Sequence, residues 1–372
     1  MLLYRWLQMA LLSLGIAGCQ SPNPYADAAL RHRAPDGFRN NYTDSVPSTA
    51  LDLLHWRWNA WRNDLPPPPA QPTPVVSPDI GAIRANAAAG SAMAPSVTWI
   101  GHATTLVQAS GLNVLTDPMF SERASPVQWM GPKRAQPPGL AMADLPAIDV
   151  VLISHNHYDH LDVASVKALD QRAGGATLFL VPLGLAPWFR ELGIEKVIEL
   201  DWWQSHQVGG VRFHLTPVQH WSARGVGDRR QTLWGGWAAF GADFHWYFSG
   251  DSGYSQDFKD TRAHFAAQEA EGGGFDLALI AVGAYKPEWF MHGQHVTPAE
   301  AVRVHRDLGA KRSMGVHWGT FNLTDEPLDQ PPEDLAEARL SQKMREDEFF
   351  VLAIGQTRRF ETRKSTPAAS KP

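Results

Sequence analysis

The stretch Ser154-His155-Asn156-His157-Tyr158-Asp159-His160 puts three histidines and an aspartate within six residues, directly after the apolar run Val150-Val151-Leu152-Ile153. In an extended or tightly turned backbone, side chains two apart point the same way. His155 and His157 therefore share a side, while Asp159 and His160 fall beyond the turn. One segment can then supply two adjacent cations, imidazole being the commonest metal-ligating side chain. A solvated polar turn, the ordinary alternative, has no use for so much imidazole at a strand end.

Each cation needs further ligands. Later strand ends offer them. His220 follows the run Val211 to Val218, Asp251 ends Trp246-Tyr247-Phe248-Ser249-Gly250-Asp251, and His317 ends Ser313-Met314-Gly315-Val316-His317. Gly250 leaves room for close approach beside Asp251. A lone histidine at a strand end is ordinarily structural; three such residues in this order after the first motif reverse that expectation.

The 372 residues suit one large α/β domain or two small ones, and 44% apolar with 19% charged residues is ordinary for a globular enzyme. A formal net charge of -5 provides no general field for nucleic acid, so no nucleic-acid partner is expected. The 15 tryptophans suit either a Trp-rich core or surfaces that are apolar on one edge and wet on the other. A disulfide within the chain is impossible, since Cys19 is the sole cysteine.

Arg5, the apolar run Leu7 to Ala17, and Ile16-Ala17-Gly18-Cys19 read as an export signal, the run being too short to span a bilayer comfortably. Ile-Ala-Gly-Cys resembles the lipobox of bacterial lipoproteins, in which the cysteine is lipidated and becomes the first residue. With Gln20 rather than aspartate next, the resemblance implies an outer-membrane lipoprotein facing the periplasm and anchored through Cys19. An ordinary cleaved signal is the alternative.

The organisation expected is a signal peptide over 1–19, a polar and Pro-rich extension over 20–95, the main folded domain over 96–356 and a flexible tail over 357–372. In the extension, Leu54, Trp58 and Trp61 are spaced like one helical face, and the proline run from Pro66 to Pro69 crosses a surface rather than separating two domains. Short strands are expected at Val97–Ile100, Thr105–Val107, Leu112–Leu115, Val150–Ile153, Thr177–Val181, Lys196–Leu200, Val211–Leu215, Trp246–Phe248, Leu277–Ile280 and Phe349–Leu352. Thr297-Pro298-Ala299-Glu300 is a capping box that opens a helix. Alternating strands and helices indicate a layered α/β architecture.

The motif H-x-H-x-D-H followed by His, Asp and His is the ligand order of the metallo-β-lactamase superfamily. Longer runs resemble the N-acylphosphatidylethanolamine-hydrolysing phospholipase D family: Trp99-Ile100-Gly101-His102-Ala103-Thr104, Leu115-Thr116-Asp117-Pro118, Gly283 to Met291, Gln294 to Ala301, and Val316-His317-Trp318-Gly319-Thr320-Phe321. The similarity runs from about Arg33 to Ile354. It implies an α/β four-layer αββα sandwich and two Zn²⁺ ions, other divalent transition metals being alternatives. His155, His157 and His220 would hold one ion, Asp159, His160 and His317 the other, and Asp251 would bridge them. The implied reaction is attack on phosphorus by a hydroxide held between the ions, with Asp251 and Asp159 orienting it, and a membrane phospholipid as substrate. The family also implies a homodimer. His295, just before a helix N-terminus, is expected to meet substrate, with Trp221 and Trp289 lining a groove for acyl chains. His102 is read as supporting the fold or steadying a ligand rather than touching substrate.

Two alternatives stay open. One is another hydrolase on this fold, a lactonase or β-lactamase, although lactamases with a cysteine ligand are excluded because Cys19 lies in the signal. The other is a non-catalytic binding lipoprotein, which the complete set of seven ligand positions disfavours.

Overall fold

The computed structural model describes residues 22–43, 49–225, 227–270 and 274–363; Cys19 and the signal lie outside them. Two mixed seven-stranded sheets dominate. The first runs, in spatial order, Thr357–Arg359, Ser96–Gly101, Thr104–Ala109, Leu112–Thr116, Val150–Leu152, Leu178–Pro182 and Val197–Leu200. The second runs Phe349–Phe350, Ser313–Val316, Leu277–Ala281, His245–Phe248, Gly236–Phe240, Val211–Thr216 and Ser205–Val208.

The sequence of the first sheet explains the layering. Its strands Val150–Leu152 and Leu178–Pro182 are apolar on both faces, and alternate residues go to different cores. Val150, Leu152, Leu178 and Leu180 join Phe213, Leu215, Trp237 and Leu279 between the sheets. Val151, Ile153, Phe179 and Val181 turn outward onto Val166, Leu169 and Phe189, which come from the helices Val163–Arg172 and Ala186–Glu191. The second sheet is covered by the helix Pro298–Leu308, which buries Ala301, Val302, Val304 and Leu308. The expected capping box is formed there, with Thr297 and Glu300 exchanging side-chain and backbone bonds. The result is the four-layer αββα sandwich.

Three expectations need adjustment. The segment assigned to a tail opens with a strand: Thr357–Arg359 pairs antiparallel with Ser96–Gly101, so the sandwich continues past residue 356. Polar residues suffice there because the strand sits at a sheet edge. Ser205–Val208 and Gly236–Phe240 were not anticipated, the first being a polar edge strand and the second opening on glycine. The strand expected at Phe349–Leu352 is only Phe349–Phe350. The helix Ala50–Arg62 does form, but it buries Trp56 and Ala60 and leaves Leu51, Leu54, Trp58 and Trp61 exposed. The proline run leads to Thr73, whose hydroxyl donates to the Gly319 carbonyl at 2.7 Å, so this segment lies along the sandwich.

Candidate metal centre

The seven expected ligand residues gather at one edge of the sandwich, each just past the carboxyl end of a strand. The His155–His160 loop follows Val150–Leu152, His220 follows Val211–Thr216, Asp251 follows His245–Phe248, and His317 follows Ser313–Val316. Gly250 makes the approach of the two sheets possible. It sits at φ +55, and a Cβ there would stand 2.5 Å from Ser154 Cβ.

Two groups of donors meet. In the first, His157 Nδ1 lies 2.8 Å from His155 Nε2 and 3.3 Å from His220 Nε2. In the second, His317 Nε2 lies 3.2 Å from His160 Nε2, and each is 3.3 Å from Asp159 Oδ2. Asp251 Oδ2 stands between the groups. It is 3.0 and 3.2 Å from the Nε2 atoms of His160 and His317, and 3.9 and 4.0 Å from those of His155 and His220.

For His220, His155 and His160, a hydrogen bond on the far side of the ring leaves Nε2 facing the centre. His220 Nδ1 donates to the Gln294 carbonyl at 3.0 Å, which leaves its Nε2 lone pair free. His155 Nδ1 is 2.9 Å from Ser154 Oγ, whose proton goes to Asp117 Oδ2 at 2.5 Å. His160 Nδ1 donates to that same carboxylate oxygen at 2.7 Å. Bare imidazole nitrogens this close repel each other unless a cation or proton lies among them. Burial and the adjoining imidazoles hold His155 well below its ordinary value, and burial does the same to His220, so both stay neutral. Against burial, the surrounding histidines, His160 foremost, keep Asp159 and Asp251 well below the usual carboxylate range. Asp251 Oδ1 and His157 Nε2 are buried with no partner among the described residues. Against burial, the carboxylates, Asp251 foremost, hold His160 well above its ordinary value and raise His317 to about 9, so this end of the cluster favours positive charge. Neutral imidazoles at one end, and ionised carboxylates drawing positive charge at the other, form a donor set that fits divalent cations.

Much of the support was not visible in the sequence. Asn40, from the turn-rich extension, donates its amide to the His220 carbonyl and accepts from the His220 N–H, both at 3.0 Å. Arg224 donates to the carbonyls of Asn156 and Leu161 at 2.8 and 2.6 Å and stacks 4.1 Å above the Tyr158 ring, clamping the histidine loop. Asp117 ends the run Leu115-Thr116-Asp117, and a strand-end aspartate ahead of a histidine loop is a usable signal for such support.

The expected substrate residues divide. His295 is at the centre, its Nδ1 3.9 Å from Asp251 Oδ2. Trp221 lies edge-on to His157 at 4.5 Å, with its indole N–H bonded to Gln294 Oε1 at 2.5 Å. Trp289 is 49% exposed and packs on His55 and Phe290, away from the ligand residues.

The sequence profile of the β-lactamase superfamily domain matches residues 112–318, which carry all seven ligand positions. The chain belongs to the metallo-β-lactamase superfamily. The chain is 42% identical over 330 residues to an uncharacterized protein of Mycobacterium tuberculosis, covering 86% of this chain and 80% of that one. It is 39% identical over 265 residues to N-acyl-phosphatidylethanolamine-hydrolyzing phospholipase D 1 of Caenorhabditis elegans, covering 68% of this chain and 72% of the relative. A metal-dependent hydrolase of Methanopyrus kandleri is 29% identical over 241 residues, covering 64% of this chain and 88% of its own. Among solved structures, an isothiocyanate hydrolase from Delia radicum gut bacteria superposes with a TM-score of 0.56 at 21% identity, covering 72% of this chain and 99% of that one, and supports the fold alone. The chain is a metal-dependent hydrolase of this fold with clustered histidine and aspartate side chains.

Proposed function

We propose that the chain is a two-zinc phosphodiesterase that cleaves a membrane phospholipid in phospholipase D fashion, taking an N-acylphosphatidylethanolamine-like substrate to phosphatidic acid and an N-acylethanolamine. The observation that carries this reading is the bipartite donor set with Asp251 Oδ2 between its halves. His155, His157 and His220 would hold one ion, Asp159, His160 and His317 the other, and Asp251 both. Zinc bound there would polarise a phosphoryl oxygen and lower the pKa of water. Asp251 Oδ1, buried and uncommitted, is placed to accept a hydrogen bond from the attacking water. Trp221 walls the His157 side, and His295 Nδ1, also without a partner among the described residues, can donate to a phosphate oxygen.

The Caenorhabditis elegans relative named for this activity supports the choice of substrate, as does the exposed stripe Leu51, Leu54, Trp58 and Trp61. Side chains of that kind suit the boundary between water and acyl chains. Lipidation at Cys19, an outer-membrane address facing the periplasm and a homodimer belong to the same reading. The deciding assay incubates zinc-loaded, signal-less protein with N-acylphosphatidylethanolamine and with phosphatidylethanolamine in mixed micelles, beside a chelated control. Chelator-sensitive release of phosphatidic acid is the expected result. No release from either lipid by protein carrying about two metals per chain would refute the lipid reading and turn attention to lactones.

A further inference from the structure

Resting on the two-ion reading above, we infer that His102 is a positioning residue: its ring N–H fixes the Asp159 carboxylate for the second ion while His102 itself stays outside the ligand set. His102 Nε2 lies 3.0 Å from Asp159 Oδ2. Among the described residues it reaches Asp159 alone of the two carboxylates, whereas the Nε2 atoms of His160 and His317 lie within 3.3 Å of both Asp159 and Asp251. Nδ1 is buried with no partner among the described residues, as a bare acceptor of a neutral ring can be. Nearness to the metal donors alone would count His102 as a ligand, since it shares a cluster with Asp159, His160 and His317. Its bond to Asp159 alone, away from the carboxylate that stands between the two groups, assigns it the other role.

The backbone is built to hold that ring. His102 sits in the left-handed region at φ +54, uncommon for a residue with a side chain. Its N–H donates to Thr320 Oγ1 at 2.8 Å, and its carbonyl accepts from the Trp99 indole at 2.9 Å and from the His317 N–H at 3.0 Å. The ring packs 4.0 Å from that of His317 and edge-on to Phe321 at 5.2 Å. One turn of the first sheet thus steadies two donors of the same group, Asp159 through its side chain and His317 through its main chain. A conformation this constrained, beside a functional cluster, is where strain is usually retained for a purpose.

The test compares full-length wild type with His102→Gln and His102→Asn, reading zinc per chain after dialysis and resistance to a graded chelator. A glutamine amide reaches close to where Nε2 stands; an asparagine amide stops near Nδ1. We expect two zinc ions in wild type, near-wild-type retention in His102→Gln, and about 10–100-fold weaker binding of one ion only in His102→Asn. Wild-type chelator resistance in His102→Asn, or equal loss in both variants, would overturn the role. Wild type holding fewer than two ions would instead overturn the two-ion reading and the inference with it. If His102→Asn does not fold, nitrogen NMR of the imidazoles in zinc-loaded wild type decides: His102 protonated at Nε2 supports the role, and a proton-free, metal-shifted Nε2 refutes it.

Discussion

His160 Nδ1 stands 2.7 Å from Asp117 Oδ2, and neither side chain is exposed to solvent. The pair fixes which imidazole nitrogen of His160 faces the centre. In Asp117→Asn an amide N–H₂ can face the His160 N–H, or the Ser154 donors lose a charged acceptor. We expect metal binding about 10-fold weaker or worse, with a stability loss of about 1–3 kcal/mol. Zinc titration and urea unfolding of the metal-free protein measure the two effects separately.

His157 offers Nδ1 to one donor group, and Asp251 lies within 4.0 Å of nitrogens from both. His157→Ala and Asp251→Ala are expected to abolish turnover, with at least one metal lost per chain by elemental analysis. Chelation of wild type should lower its melting temperature, because free zinc at 100 times Kd contributes about 2.7 kcal/mol. Full activity in either variant, or a melting temperature indifferent to chelator, would remove these residues from the centre.

Asp201 is held below the ordinary carboxylate value: burial opposes this, but bonds from His32 Nε2 and Arg33, at 2.8 and 2.6 Å, override it. A depressed folded pKa stabilises above the unfolded value, about 3.9, and the contribution is lost as pH falls through the folded one. Asp201→Asn should therefore cost about 2 kcal/mol at neutral pH. The gap to wild type should narrow only in acid, below about pH 4. Urea midpoints at pH 7, 5 and 3 follow it.

Gly250 has no room for a methyl group beside Ser154 and sits at positive φ. Gly250→Ala should cost about 1–3 kcal/mol through backbone strain, and more if Ser154 has to move. Because Asp251 is the next residue, metal retention should fall along with melting temperature. A variant that melts lower but keeps its metals would show that the glycine serves packing alone.

The rings of Trp58 and Trp61 lie 5.0 Å apart, tilted by 40°, on the outward face of their helix. If that face meets lipid, Trp58→Ser with Trp61→Ser should weaken vesicle sedimentation about tenfold or more, at about 1.5–3 kcal/mol per large apolar side chain withdrawn from water. Turnover in micelles should change less than turnover on vesicles. Equal vesicle binding by the double variant would exclude the face.

The sandwich and the donors were legible because both write themselves in residue type. The apolar run ending at Ile153 supplies the buried strand Val150–Leu152, and the crowding of imidazole from His155 to His160 marks the candidate binding loop. The supports were not, because they work through groups that every residue owns or across long separations. Gln294 steadies His220 with a main-chain carbonyl, and Asn40 reaches the same histidine from 180 positions away. Trp58 misleads for a different reason: helical spacing marks an apolar face without saying whether protein or something else covers it. Trp56, two residues earlier, faces inward instead and bonds to Asp325.

The pairing of Thr357–Arg359 with Ser96–Gly101 also bears on how the chain can be made. Synthesis runs from the amino end, so the edge at Ser96 must wait, open, while some 260 residues are added before its neighbour exists. Unpaired strand edges are templates for the wrong partner. A ribosome that stops short of residue 357 therefore releases a chain able to carry all seven metal donors and still prone to stick to its own kind.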